Sequence, residues 1–150
     1  MKRNYDSIYK IIDSLISSES NLIANLANVT AVLNEELLPL WVGFYIVDVE
    51  ANELVLGPFQ GPLACTRIPY NKGVCGSAWK NKRVELVADV HKFPGHIACS
   101  SKTNSEIVIP ILKNSEVVAV LDIDSVEFDH FSSIDSKELS RICDNLADLF

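Results

Sequence analysis

The chain has 150 residues, 48% of them hydrophobic and 22% charged, with 20 acidic against 13 basic side chains. That composition supplies a core without staples and excludes a disordered chain, while the formal net charge of −7, with no basic cluster, argues against nucleic acid as a partner. No apolar run is long enough to span a bilayer, and the start MKRNYDSIYKIIDSLISS has neither an apolar h-region nor a small-residue cleavage site, so one cytoplasmic domain over residues 1–150 is expected.

Over residues 5–36, Ile8, Ile11, Ile12, Leu15 and Ile16, then Leu22, Ile23, Leu26, Val29, Val32 and Leu33, follow the helical period. This predicts two amphipathic helices, broken at the polar residues 17–20, with Ser18 or Ser20 capping the second. After Pro39 the pattern turns to strands, and residues 41–49 and 53–56 flank a polar tip at 50–52 as a hairpin. Residues 57–61 are punctuated by Gly and Pro, 66–70 form a further strand, 73–81 (GVCGSAWKN) a short glycine-led helix, and 84–88 another strand. Residues 91–105 show no period. A second hairpin follows, with arms at 106–112 and 117–124, and a last helix runs from Ser132 or Ser133 to Phe150. The order gives an α+β fold class: a central, mainly antiparallel sheet with N- and C-terminal helices packed on it.

In the strand 117–124 the period of two puts Val118, Val120, Asp122 and Asp124 on one face and Val117, Ala119, Leu121 and Ile123 on the other. Asp122 and Asp124 then lie roughly 7 Å apart, close enough to act on one small ligand. Glu106 shares a face with Val108 and Pro110 on the partner strand and joins the pair if the register allows. Acids are depleted from strands, so three converging there point to a site; the plainer alternative is a set of solvated strand ends.

Four cysteines in a reducing compartment indicate free thiols, metal ligands or redox chemistry. Cys99 lies in the aperiodic KFPGHIACSSKTNSE, near His96 and followed by Ser100, Ser101, Thr103 and Ser105. Long aperiodic loops are usually functional, and a basic or dipolar setting makes a loop thiol reactive; an incidental exposed thiol is the alternative. Cys65 and Cys75 sit beside Gly or Pro, off any apolar helical face, and either one near Cys99 would make a nucleophile and a resolving thiol. A metal site is the rival, but the spacings hold no C-X2-C knuckle, so no metal and no cofactor is expected. Cys143, beside Ile142 and Leu146, reads as structural, and Trp79 as packing. Trp41 and Tyr45, on one strand face, are either core aromatics or the wall of an apolar pocket.

The segments GPFQGPLAC, IPYNKGVCGSA, VADVHKFPGHIAC, SEIVIPI and AVLDIDS together resemble the free methionine-R-sulfoxide reductases, which are stand-alone GAF domains, from about residue 41 to the last helix. The resemblance implies that Cys99 attacks the sulfoxide sulfur, releases methionine and becomes a sulfenic acid, which Cys65 resolves as a disulfide. It makes Cys75 an alternative or relay thiol and thioredoxin the external reductant. It also implies that Glu106, Asp122 and Asp124 line the substrate pocket, with Glu106 polarising or protonating the sulfoxide oxygen and Trp41 and Tyr45 against the methyl-sulfinyl end. Backbone amides of residues 95–99 would host the substrate carboxylate. Ser100 stands where the family commonly has Asp, and Thr103 where Ser is frequent, leaving less negative charge around Cys99. A cysteine-based redox or small-ligand-sensing GAF domain would use the same Cys99 and is told apart by turnover. The exposed face of the N-terminal helices can support a homodimer.

Overall fold

The computed structural model describes residues 2–150. Helix α1 (Tyr5–Ser17) starts where the Asn4 side chain accepts the Ser7 N–H at 3.2 Å, and α2 (Leu22–Leu37) where Asn21 accepts the Ala24 N–H at 3.0 Å. Asn21, not Ser18 or Ser20, is therefore the cap of α2. Ser18 turns its hydroxyl back to the Leu15 carbonyl, and the Glu19 carboxylate takes the Ser20 and Asn21 N–H groups in the turn between the helices. The helical period read from Ile8, Ile12, Leu26, Val29 and Leu33 is the buried stripe.

Six strands form one sheet in the order β3-β2-β1-β6-β5-β4, every neighbouring pair antiparallel. They are β1 (Trp41–Asp48), β2 (Glu53–Gln60), β3 (Arg67–Pro69), β4 (Glu85–Val87), β5 (Ser105–Lys113) and β6 (Glu116–Ser125). Strand β2 runs through the Gly/Pro punctuation instead of ending at Leu56. The register with β1 skips there, pairing Gly43 with Phe59 and Tyr45 with Leu56, and Pro58 is accommodated in that irregularity, past the point where β3 pairs.

Period-two alternation sorts the sheet into two faces. Phe44, Ile107, Ile109, Ile111, Leu121 and Ile123 meet α1, α2 and α4 (Ser133–Leu146); Trp41, Tyr45, Val108 and Val120 meet α3 (Gly73–Asn81). One expected assignment is reversed. Val118 is the extra residue of a bulge, since Ile111 pairs with Ala119 and Leu112 with Val117. Val117 consequently packs on the α3 side and Val118 toward the helices, while Val120, Asp122 and Asp124 keep their expected face. Asn114 and Ser115 close that hairpin with positive φ at both positions, the two-residue turn that matches strand twist.

In place of a wholly irregular stretch over 91–105, a 3₁₀ turn spans Val90–Lys92 and Ser105 already opens β5. Helix α4 stops at Leu146 and tightens into a 3₁₀ turn, Ala147–Leu149, instead of running to Phe150. Its start is a capping box between Ser132 and Asp135, and Asp135 also receives Tyr5 Oη at 2.6 Å and the Arg3 guanidinium at 2.5 Å, which ties both ends of the chain together. Among the described residues no helix is long and apolar enough to cross a membrane. Replacing Ser132 with Ala is expected to cost about 1 kcal/mol of stability, read from urea unfolding; a change below about 0.3 kcal/mol would show that Asp135 holds the helix start without the cap.

Candidate active site

The register of β6 builds the site. On one side it pairs Glu106 with Asp124 and Val108 with Asp122; on the other it pairs Trp41 with Asp124 and Gly43 with Asp122. Glu106, Asp122, Asp124, Trp41 and Tyr45 thereby share the face away from the three long helices, and the first turn of α3 (Gly73, Val74, Cys75) covers them. Gly43 lets the indole lie flat along the strand: a Cβ there would stand 2.5 Å from both Phe59 Cβ and Trp41 Cη2. Trp41 instead stacks between Tyr45 and Phe59, with centroids 5.8 and 5.4 Å away. A lone glycine inside a strand pattern is the signal in the sequence for such a close approach.

Two loops close the top. Cys65 and Cys99 are joined by a disulfide with Cα atoms 5.5 Å apart, and Tyr45 Oη donates to the Cys65 carbonyl at 2.8 Å. Cys75 is a free, buried thiol beneath them, and its sulfur and carboxylate oxygens of Glu106 and Asp122 lie within 4.8 Å of one another. A divalent ion could be held by that trio only with release of its protons. Cys143 lies on the opposite face of the sheet, buried against the helices. Of the other residues singled out, His96, Ser100 and Thr103 reach the cavity, while Trp79 packs edge-on against Tyr70 at 4.8 Å. Leu63, Ile68, Lys72 and Ile97 also line it and carried no signal in the sequence.

The cavity measures about 40 Å³, well short of the roughly 300 Å³ at which small-molecule pockets begin. Its electrostatics follow from burial. Glu106 is pushed well above the usual carboxylate range by desolvation and then by Asp124; Asp122 by desolvation and then by Glu106; Asp124 by desolvation and then by Asp122, although part of its surface shows at the rim. Burial, then Asp122, raises the Cys75 thiol, and burial, then Asp122, raises the Tyr45 phenol. His96 Nε2 stands 3.6 Å from Glu106 Oε2, and burial lowers the imidazole while it raises the acid, both in the direction that weakens an ion pair.

Two buried side-chain atoms, Trp41 Nε1 and Asp122 Oδ1, find no hydrogen-bond partner among the described residues, and both belong to residues lining this cavity. An unmet buried donor or acceptor costs about 1–3 kcal/mol, so one of each at a single cavity marks a place built for a polar ligand.

The GAF domain family model matches residues 24–150. The free methionine-R-sulfoxide reductase of Escherichia coli (strain K12) is 43% identical over 139 residues, 92% of this chain and 83% of that protein. The chain belongs to the free methionine-R-sulfoxide reductase family of GAF domains. GAF domain-containing protein A of Dictyostelium discoideum is 53% identical over 141 residues, covering 94% of this chain and 89% of its own. The family fold is shared closely: the free methionine-R-sulfoxide reductase of Neisseria meningitidis, solved in complex with its substrate, superposes with a TM-score of 0.96 at 46% identity, over 97% of this chain and 87% of that one.

Three acids with raised native pKa values give this family member's stability one pH-dependent contribution. In the unfolded chain they lose their protons near the ordinary carboxylate values of 3.8 and 4.5; in the native state they keep them to higher pH. Their contribution to stability therefore falls as pH rises through the native pKa values, while His96 and His130, lowered by burial, act in the opposite sense around the ordinary histidine value of 6.5. Urea unfolding of wild type and Asp122→Asn at pH 5 and pH 8 should show the variant gaining stability relative to wild type at pH 8 more than at pH 5; an equal difference at both pH values would place the acid contribution outside Asp122.

Proposed function

We propose that this protein reduces free L-methionine-(R)-sulfoxide to methionine, as a single GAF domain over residues 1–150 that returns the oxidised free amino acid to use under oxidative stress. The observation that carries the reading is the convergence, over one small cavity, of a joined Cys65–Cys99 pair with three buried acids and an aromatic wall. The chemistry requires each part. Cys99, as thiolate, attacks the sulfoxide sulfur; the oxygen passes to Cys99 as a sulfenic acid, and methionine leaves. The Cys65 thiol then attacks that sulfenic sulfur, the S–S bond forms and water departs. A dithiol protein, thioredoxin, returns two electrons and two protons to the pair.

Glu106 is the acid that polarises or protonates the sulfoxide oxygen, a role that needs a carboxyl still protonated near neutral pH, and its burial beside Asp124 favours that state. Asp124, at the rim, is the partner for the substrate ammonium, and Asp122 Oδ1 accepts from the same ligand. Trp41 and Tyr45 pack the methyl-sulfinyl end. Cys75, with its thiol pushed up by burial, is a poor nucleophile in place and serves as a relay only after Cys65 and Cys99 have exchanged. Because the disulfide-closed cavity is too small for the substrate, reduction and binding alternate: the loop bearing Cys99 must swing out before a methionine sulfoxide enters. The site calls for no metal or cofactor, and a cytoplasmic location fits the reductant. A homodimer through the N-terminal helices is compatible with the site, which faces away from them.

The assay compares free methionine-R-sulfoxide, the S epimer and a peptide-bound sulfoxide with a dithiol reductant. Turnover of the free R epimer alone is expected, because a pocket that reads ammonium and carboxylate has no exit for a chain; equal rates on the peptide would overturn the reading.

The cysteines divide by step. Cys99→Ser should abolish methionine release, since a hydroxyl is a far weaker nucleophile than a thiolate. Cys65→Ser should release one equivalent at the wild-type rate and then stall, and Cys143→Ala should turn over normally. Loss of the first equivalent in Cys65→Ser would show that the two roles are not separate.

A further inference from the structure

We propose that the reductant docks on an uncharged-to-basic rim around Leu63, Lys72 and Lys102, and that its thiolate attacks the Cys99 sulfur of the disulfide, not Cys65. The proposal rests on the thiol mechanism above but concerns a different encounter, that of the closed disulfide with a second protein.

Access decides which sulfur is attacked. Thiol–disulfide exchange requires the incoming sulfur to approach in line with the bond, so a protein thiol can use only the sulfur that faces solvent. Cys99 is exposed, whereas Cys65 is half-buried and packed against the cluster that holds Tyr45 and Ile68, its carbonyl pinned by Tyr45 Oη. The 40 Å³ beneath the bond leaves no path for a macromolecule from the inner side.

The surface around Cys99 differs from the rest of the chain. Leu63, two residues before Cys65, is 90% exposed at the cavity mouth, an apolar knob with no intramolecular use. Residues 57–66 carry no charge, and residues 93–102 carry no carboxylate. Lys72 and Lys102 are exposed and form no ion pair among the described residues. In a chain with 20 acids and net charge −7, two loop segments that carry no carboxylate are a local reversal of sign. It does nothing for a free amino acid, whose zwitterion has no net charge, but it steers an acidic protein. The occupant is therefore an acidic dithiol protein with an apolar surface beside its reactive sulfur.

The electrons balance as follows. The reductant's first thiolate bonds to Cys99 Sγ, the Cys65–Cys99 bond breaks, and Cys65 leaves as thiolate and takes a proton. The reductant's second thiol then attacks its own bonded sulfur, closing the reductant's disulfide and releasing Cys99 with the second proton.

The test uses full-length protein oxidised with diamide, so that no step depends on methionine sulfoxide. Thioredoxin with its second active-site cysteine changed to Ser is mixed with it, quenched in acid, and the mixed disulfide is mapped by peptide mass spectrometry; the adduct is expected on Cys99, and an adduct on Cys65 overturns the proposal. In parallel, Leu63→Ala and Lys102→Glu are each expected to slow reduction of the disulfide by intact thioredoxin about tenfold, with the Lys102→Glu loss vanishing at high salt, while reduction by dithiothreitol is unchanged. Wild-type rates with thioredoxin in both variants would overturn the docking surface. Failure of the methionine assay with these results intact would count against the reductase reading alone.

Discussion

Three carboxyl groups on one dry face of a sheet cannot all be charged, and much of this molecule follows from that constraint. Glu106 faces Asp124 across a strand pair, and Asp122 sits two residues before Asp124 on the same strand, so ionising any one raises the cost of ionising the next. The fold accepts the destabilisation because the opposite face carries the main core. Phe44, Ile107, Ile109, Ile111, Leu121 and Ile123 pack against three helices there, and none of that burial depends on the acids. Alternation along a strand is what makes the separation possible: each residue given to the site leaves its neighbours to the core.

The same division explains the glycine at position 43. An aromatic wall over the acids must lie close to the sheet, and the indole of Trp41 can do so only where the strand presents no Cβ beneath it. Gly43 pairs with Asp122, so the flat indole and the central acid are neighbours by register and not by loop conformation. Positions built on strands in this way are held by the ladder itself, whereas Cys65 and Cys99 ride on the loops above the acids, where their disulfide joins the two loops.

Much of this was legible in the amino-acid order, for identifiable reasons. The short helix 73–81 and the strand starting at Trp41 announced themselves because glycine and the period change fall at their ends. The sharing of a face by Asp122 and Asp124 needed only the period of two, whereas Glu106 joins them because the bulge at Val118 shifts the register so that it pairs with Asp124 and not with Ile123. What was not legible was long-range or local geometry that a pattern does not encode. The bulge that reverses Val117 and Val118, and the continuation of β2 through Pro58, depend on partner strands distant in sequence. The cap at Asn21 in place of a serine rests on where the chain bends, which puts the Asn21 side chain and not a serine hydroxyl at the Ala24 N–H. Residues such as Leu63 and Ile97 reach the cavity because of where two loops lie, and their types, ordinary apolar side chains, carry no mark of it.

His96 shows how burial changes the sense of a sequence signal. A histidine three residues before a cysteine suggests a cation that would hold the thiolate, and the sequence invites that reading. In the folded chain the imidazole faces Glu106, and burial drives it toward the neutral form. An imidazole driven toward its neutral form supplies a weak field at best for the neighbouring Cys99 thiol. What remains is its position: Cys99 is exposed to water on a loop whose flanks carry Lys102 and no carboxylate, while Cys75, deep among the acids, is held in the thiol form. The departure at Ser100 acts in the same direction, because a hydroxyl there adds no negative charge beside the Cys99 sulfur. Placement relative to the buried acids, more than any single neighbouring base, thus separates the exposed Cys99 from the buried Cys75.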